Sequence, residues 1–437
     1  MRTGIGSKLE RFASEPRGQI ILVAFVLALS LVVRLLVAWR THGCDIDQGC
    51  FSFWFDYAAR NGPGGFANAV LDDTFFCDYP LANVYIFWLF GKLANALGPD
   101  SMPFITKLPG ILFDIATALL IFSFLRHRFS FRVALGVMTL YTFTAATFFE
   151  TAVWGQMGSV YTFFMIATLY SALRSNYALS GALFSLAILT KPQSVVLLPV
   201  LAYIILRDGG IKRAITSSAA FAAVIVILLL PLDAASRLPF VIESYSGYNV
   251  YEYTSVNAYN LWALAGFWEN DTVVHLGLTY QQWGILFFLI FAAFVMWQLH
   301  RRYDARSAIF AVFLLTFGFF MLMTRMHERY LFSVFALLAL GWYTRFTIWI
   351  YLGLTATVFA QLAYALSLLN SKAYWIADGH WSVYVLVPAN IILFGLSIWT
   401  FWRMQHRKLP QTVAIPPPPD DVREITPEQP PPREEEA

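Results

Sequence analysis

Between Asp45 and Pro80 the chain places Asp45, Asp47, Asp56, Asp72, Asp73 and Asp78, with Arg60 as the one Lys or Arg. Most carboxylates in such a segment are simply solvated. Asp47 differs in its setting, because it follows the end of the first long apolar run and leads into Phe51, Phe53, Trp54 and Phe55. Aromatic side chains beside a carboxylate at a membrane surface can wall a partly dry pocket for a sugar ring. A carboxylate there can take the proton of an attacking hydroxyl. Much later comes Thr324-Arg325-Met326-His327-Glu328-Arg329-Tyr330 at the end of another apolar run, with three possible cations in five residues. Cations entering an apolar helix are costly unless they meet an anion or line a water-filled cavity. Arginine forks suit phosphate oxygens. A base and an anion holder together point to transfer of a group carried on a phosphorylated lipid.

Further polar residues sit where lipid would penalise them. Lys191-Pro192-Gln193 interrupts an apolar stretch, and an ammonium at that depth marks a functional site or a structural partner for a carboxylate such as Asp114. Trp154-Gly155-Gln156 falls at a span end, where Trp is an interfacial anchor or Gln a sugar ligand. Asn257 and Asn260, with Trp262, allow the same two readings. Cys44, Cys50 and Cys77 are all of the cysteine, so Cys77 can pair with Cys44 or Cys50 in an oxidising compartment. No four-ligand metal spacing, Walker loop, dinucleotide glycine pattern or nucleic-acid module appears. The chemistry is therefore expected to need neither metal nor other cofactor, and nucleic acid is not a partner.

These residues need elements to hold them. The chain is 58% hydrophobic and 13% charged, with a mean hydropathy of +0.59. Apolar runs of about 17 to 25 residues recur, each long enough to cross a bilayer as a helix. Without a barrel-like alternation, the fold class is an all-α polytopic membrane protein. Lys and Arg mark cytoplasmic loops, and placing Arg126-His127-Arg128, Arg174, Arg207, Lys212-Arg213, Arg301-Arg302, Arg345 and Arg403 inside predicts about twelve spans with both termini cytoplasmic. They run over 19–39, 104–125, 133–150, 157–173, 177–190, 194–206, 214–232, 281–300, 307–323, 330–344, 346–368 and 381–402. The same constraint makes Leu81–Leu97 a helix lying along the outer surface. The expected organisation is a cytoplasmic N-terminus (1–18), a transmembrane domain (19–409) with external loops 40–103 and 233–280, and a disordered Pro-rich acidic tail (410–437).

Taken in order, the motifs resemble the GT-C glycosyltransferases, most nearly bacterial relatives of the mannosyltransferase that adds the second mannose of GPI anchors. The resemblance rests on Asp47, Phe51, Trp54, Gly62 to Gly65, Asp78-Tyr79-Pro80, Lys107-Leu108-Pro109 with Asp114, Trp154-Gly155-Gln156, Lys191-Pro192-Gln193, Asn260-Leu261-Trp262 and Arg325 to Tyr330. Leu81 replaces a second Pro. Gly158 stands where the family usually has Asp, which removes that carboxylate's role. The resemblance implies a polyprenyl-phosphate sugar donor, a glycan, lipid or protein acceptor, and inversion at the anomeric carbon. It also implies a multi-pass protein among the lipids of the bacterial plasma membrane, with its site on the extracytoplasmic face and surface-lying helices in the first external loop.

The roles expected are Asp47 as general base, and Arg325, His327, Arg329 and Lys191 on the donor phosphate. Asp78, Tyr79, Trp154, Gln156, Asn260 and Glu328 are expected at the substrates. Two other readings compete: a transporter or flippase of a lipid-linked saccharide, which also uses broken helices and buried cations, and a glycan polymerase or ligase with its catalytic groups in a large late loop.

Overall fold

Backbone that crosses hydrocarbon must close its hydrogen bonds within itself, and the computed structural model is accordingly built of helices. It describes residues 14–246, 251–341, 345–373, 376–377 and 379–406. The expected tail, 410–437, and most of segment 1–18 lie outside the described residues. In chain order the long helices are α1 (Pro16–Arg40), α2 (Asp45–Leu71), α3 (Leu81–Leu97), α4 (Leu108–Arg126), α5 (Phe131–Thr142), α6 (Gly158–Leu173), α7 (Tyr177–Thr190), α8 (Leu198–Ile204), α9 (Gly210–Leu229), α10 (Arg237–Ser246), α11 (Tyr280–Arg301), α12 (Ala305–Leu322), α13 (Phe332–Leu340), α14 (Arg345–Asn370) and α15 (Trp381–His406). Val274–His275 and Leu278–Thr279 form a short antiparallel pair before α11.

The chain is a polytopic helical membrane protein. Among the described residues seven helices are long and apolar enough to cross a membrane, or eight if α5 and the following 145–154 segment, bent by 47°, form one span. Each expected span overlaps helix among the described residues, but 194–206 and 214–232 fall within one candidate crossing, Pro192–Leu229, α6 and α7 are shorter than the other crossings, and α13 has 9 residues, too few for a hydrocarbon core about 30 Å thick. The expectation of twelve crossings is thus not fixed by helix length. α12 and α13 are buried on nearly every side, as helices apolar all round must be, and they form the centre of the largest core cluster.

The 40–103 segment is mostly helical, with non-helical stretches at 41–44 and 72–80. α2 breaks at Gly62, before Pro63, and α3 packs against it. Here one expectation is corrected. Phe51 and Phe55, expected to wall a sugar pocket, are 1% and 0% exposed; they pack on Phe87 of α3 with ring centres 6.5 and 5.1 Å apart. The apolar face of α3 needs a partner, and these rings supply it. Cys44, Cys50 and Cys77 are free thiols, and neither of the two pairings open to Cys77 is formed.

Arg34 and Lys107, cations inside the bundle, are paired or capped. Arg34 on α1 forms an ion pair with Asp114 on α4 at 2.6 Å, donates to Thr142 O and Thr151 Oγ1 at 2.9 and 2.5 Å, and Tyr141 donates to Asp114 Oδ1 at 2.5 Å. Asp114 is therefore the partner of Arg34 and not of Lys191. Lys107 Nζ donates to Ala38 O and Thr41 O at 3.3 and 2.6 Å, carbonyls at the end of α1 that no later turn can satisfy. It also donates to Val153 O at 3.4 Å, which ties α1 to the segment before Gln156.

Asp114→Leu leaves the Arg34 guanidinium buried without its counter-ion and is expected to cost about 3–5 kcal/mol of stability. Arg34→Leu/Asp114→Leu should recover most of it, because neither charge is then stranded. Thermal unfolding of the purified protein in detergent reads both; equal losses in the single and double variants would contradict the pairing account.

Candidate active site

The segment after α5 sets the site. Phe149–Trp154 winds as a π-helical turn and ends at Gly155 with φ of 89°, where an L side chain is strained. A Cβ there would also lie 2.2 Å from Gln48 Nε2, so only glycine fits. The N–H groups of Gly155 and Gln156 both donate to Glu150 O, at 3.1 and 3.0 Å. That turn points two side chains at one oxygen: Trp154 Nε1 and Gln156 Nε2 donate to Asp47 Oδ2 at 2.7 and 2.5 Å. Tyr79 donates its hydroxyl to Gln156 Oε1 at 3.3 Å. Gln48, one residue beyond Asp47, donates to Trp154 O and accepts from Thr106 Oγ1 at 2.7 Å, fixing the N-terminal turn of α2.

Trp154 and Gln156 were expected at the substrates. Both are buried, at 0% and 1% exposure, and both are spent on holding Asp47. Trp154 is also too deep to be an interfacial anchor. Asn260 is corrected similarly: its amide donates to Phe320 O and Met323 O at 3.1 and 3.0 Å and its Oδ1 caps Trp262 and Ala263, which uses its polar capacity on the chain. Asn257 Oδ1 accepts from Trp268 Nε1 at 3.1 Å.

A cavity of about 360 Å³ lies beside this network, lined among others by Asp78, Tyr79, Lys191, Gln193, Tyr251, Arg325, Arg329 and Tyr330. Asp47 is half-buried and does not line it; Tyr79 and Gln156 join the two. The Asp47 and Arg329 charges act on each other. Burial raises the Asp78 carboxyl from its ordinary value, against the pull of Arg329.

The cations divide sharply. Lys191 falls at the break after α7, in extended conformation, with Nζ 4.4 Å from the centre of the Tyr330 ring and 5.3 Å from that of Tyr161, both cation–π distances. Arg329 donates to Glu328 Oε1 at 2.7 Å and keeps 17% of its side chain exposed. Arg325 also lines the cavity, but its fork is engaged by Asp271 at 2.8 and 3.0 Å. It adopts a φ of 63°, rare for a residue with a side chain.

His327 and Glu328 do not line the cavity. His327 is buried against Tyr251 and Tyr330, and burial, then the charges of Arg329 and Lys191, hold its imidazole well below the ordinary value. The expected role of His327 as a cation for phosphate is therefore corrected: it stands off the cavity wall, and burial and its cationic neighbours act against its charged form. Glu328, 1% exposed, is the counter-ion of Arg329 and not a substrate contact.

Sequence reasoning passed over Arg34, Asp271 and Glu150. The signal for Arg34 and Glu150 was an ionisable residue inside an expected span. Asp271 gave none, since nothing in a long loop says which carboxylate turns inward. A Cβ on Gly158 would lie 2.2 Å from Glu150 Oε1, so the carboxylate of Glu150 occupies that space.

The family model for Glycosyltransferase family 87 matches residues 79–324, more than half of the chain. No curated protein sequence matches. Two solved structures are similar: the oligosaccharyltransferase of Archaeoglobus fulgidus in the apo form, at 10% identity and a TM-score of 0.43 over 89% of this chain and 55% of that one. The second is the same enzyme tethered to an acceptor peptide, at 10% identity and 0.47 over 90% and 55%. The chain thus spans about half the length of the solved structures it matches.

The state of His327 has a measurable consequence. Its folded value lies below its unfolded one, near 6.5, so as pH falls below about 6.5 only the unfolded chain gains the proton and stability is lost. His327→Gln should flatten the fall of Tm on acidification, removing a slope of at most about 1.4 kcal/mol per pH unit. An unchanged slope would show that the imidazole takes its proton as readily in the fold as in the unfolded chain.

Proposed function

The chain belongs to glycosyltransferase family 87, and from that premise we propose that it moves a hexose, mannose first, from a polyprenyl-phosphate carrier to an acceptor hydroxyl on the extracytoplasmic face. In one displacement the acceptor oxygen bonds to the anomeric carbon while the bond from that carbon to phosphate oxygen breaks. The electron pair leaves with polyprenyl phosphate, Asp47 receives the acceptor proton, and the anomeric configuration inverts.

What carries this reading is the hydrogen-bonded path from Asp47 through Gln156 to Tyr79, which reaches the wall of the cavity that Lys191 and Arg329 share. Both hydrogen bonds made to Asp47 fall on Oδ2, which leaves Oδ1 as the oxygen to take a proton. Lys191 and Arg329 meet the phosphate and stabilise charge that grows on its oxygens as the bond breaks. Asp78 and Tyr79 face the sugar. Arg325, committed to Asp271, holds the 324–330 loop in place and is not the leading phosphate ligand.

A transporter remains the competing reading, and it predicts lipid movement between leaflets without consumption. Reconstituted protein given polyprenyl phosphates bearing mannose, glucose, arabinose or galactosamine should instead release polyprenyl phosphate. Asp47→Asn should keep the donor KM and lose about 10²–10⁴ in kcat. Arg329→Gln should lose on the order of 10²–10³ in kcat/KM. Near-normal transfer by Asp47→Asn refutes the base assignment.

A further inference from the structure

The proposed step leaves one buried carboxylate unused. Glu150 is 1% exposed, and its Oε1 is buried with no hydrogen-bond partner, an expensive condition for a group inside a membrane bundle. Its position explains why it is kept. Oε1 lies against Gly158, in the first turn of α6, where the helix dipole favours negative charge. Tyr161 is three residues further along and so shares that face of the helix. The Lys191 ammonium sits 5.3 Å from the centre of the Tyr161 ring. Carboxylate and ammonium therefore lie along one face of α6; burial is the largest influence on both and works against each charge, and each charge offsets part of that cost for the other. Arg329, Glu328 and Asp114 also act on Glu150; Arg329, Asp78 and Glu328 also act on Lys191. Among the described residues no carboxylate is in ion-pair contact with Lys191, whereas Asp114 has Arg34, Glu328 has Arg329 and Asp271 has Arg325.

We propose that Glu150 is a positioning residue, the counter-charge that holds the Lys191 ammonium over Tyr330 and toward the cavity so that a lipid phosphate meets a fixed cation. The inference rests on the reading above in which Lys191 binds that phosphate. Glu150 touches no reacting atom; it acts through Lys191, and its effect must vanish when Lys191 is gone.

The test is binding of polyprenyl phosphate, the sugar-free product, to the full chain in nanodiscs, which needs no knowledge of sugar or acceptor. Glu150→Gln and Lys191→Gln should each weaken binding by about tenfold, and the double variant should be no weaker than Lys191→Gln alone. A double variant weaker by the product of the two effects, or unchanged or tighter binding by Glu150→Gln, overturns the proposal. An effect of neither Lys191→Gln nor the double variant overturns the phosphate role of Lys191 as well, which separates the two failures. Relocation guards against a folding artefact. Glu150→Ala opens the space beside Gly158, and Glu150→Ala/Gly158→Asp puts a carboxylate back into it, so this swap should recover binding that each single change loses. A swapped protein of native Tm that binds as weakly as Glu150→Ala shows that charge at this place is not what matters.

Discussion

Two N–H donors converge on one oxygen of Asp47, and neither could reach it without the turn at 149–156. Trp154 and Gln156 aim there because Gly155 reverses the backbone and Glu150 O accepts both following N–H groups. That turn is fastened from below. Arg34 reaches Thr151, Thr41 reaches Ala152 O, and Lys107 reaches Val153 O. The end of α1, the start of α2 and the π turn thus form one hydrogen-bonded block, with Asp47 on its edge. In the proposed reaction, holding Asp47 this way removes the reorganisation that a mobile carboxylate would require at the moment of proton transfer.

The cost of charge inside a membrane bundle sorts the cations into two kinds. Arg34, Lys107 and Arg325 are consumed by the fold, each making several contacts to a carboxylate or to carbonyls, whereas Arg329 meets its one carboxylate, Glu328, through a single nitrogen. Lys191 and Arg329 line the hollow, one over aromatic faces and the other with part of its fork exposed. An anion entering the hollow meets these two. The glycosyl transfer that the family carries out needs such a place wherever the sugar departs from an anionic leaving group. His327, two residues before Arg329, is held away from its charged form by burial and then by the charges of Arg329 and Lys191.

Much of this could be read from residue types and spacing. The helical membrane fold followed from apolar runs, the interruption at Lys191 from a proline beside a lysine, and α3 at Leu81–Leu97 from the pattern itself. What was misread shares one cause. Sequence shows that a polar residue lies in an apolar setting but not which way its side chain turns. Asn260 and Trp154 looked like ligands and instead satisfy buried partners. Phe51, Trp54 and Phe55 looked like a sugar platform and instead fill the seam between α2 and α3, while Phe53 stays exposed. Arg325 and Arg329 looked equivalent, and only the long-range approach of Asp271, from a loop with no local signal, tells them apart.

The central claim is that one hollow brings a lipid phosphate onto Lys191 and Arg329 while its sugar faces Asp47. A cryo-EM structure of the protein with a non-hydrolysable polyprenyl-phosphonate sugar tests it directly. The account requires phosphonate oxygens in hydrogen-bonding contact with Arg329 and Lys191, and the anomeric carbon open to an acceptor whose hydroxyl can reach Asp47. Phosphonate bound elsewhere, or a sugar shut off from Asp47 by packed protein, would contradict it.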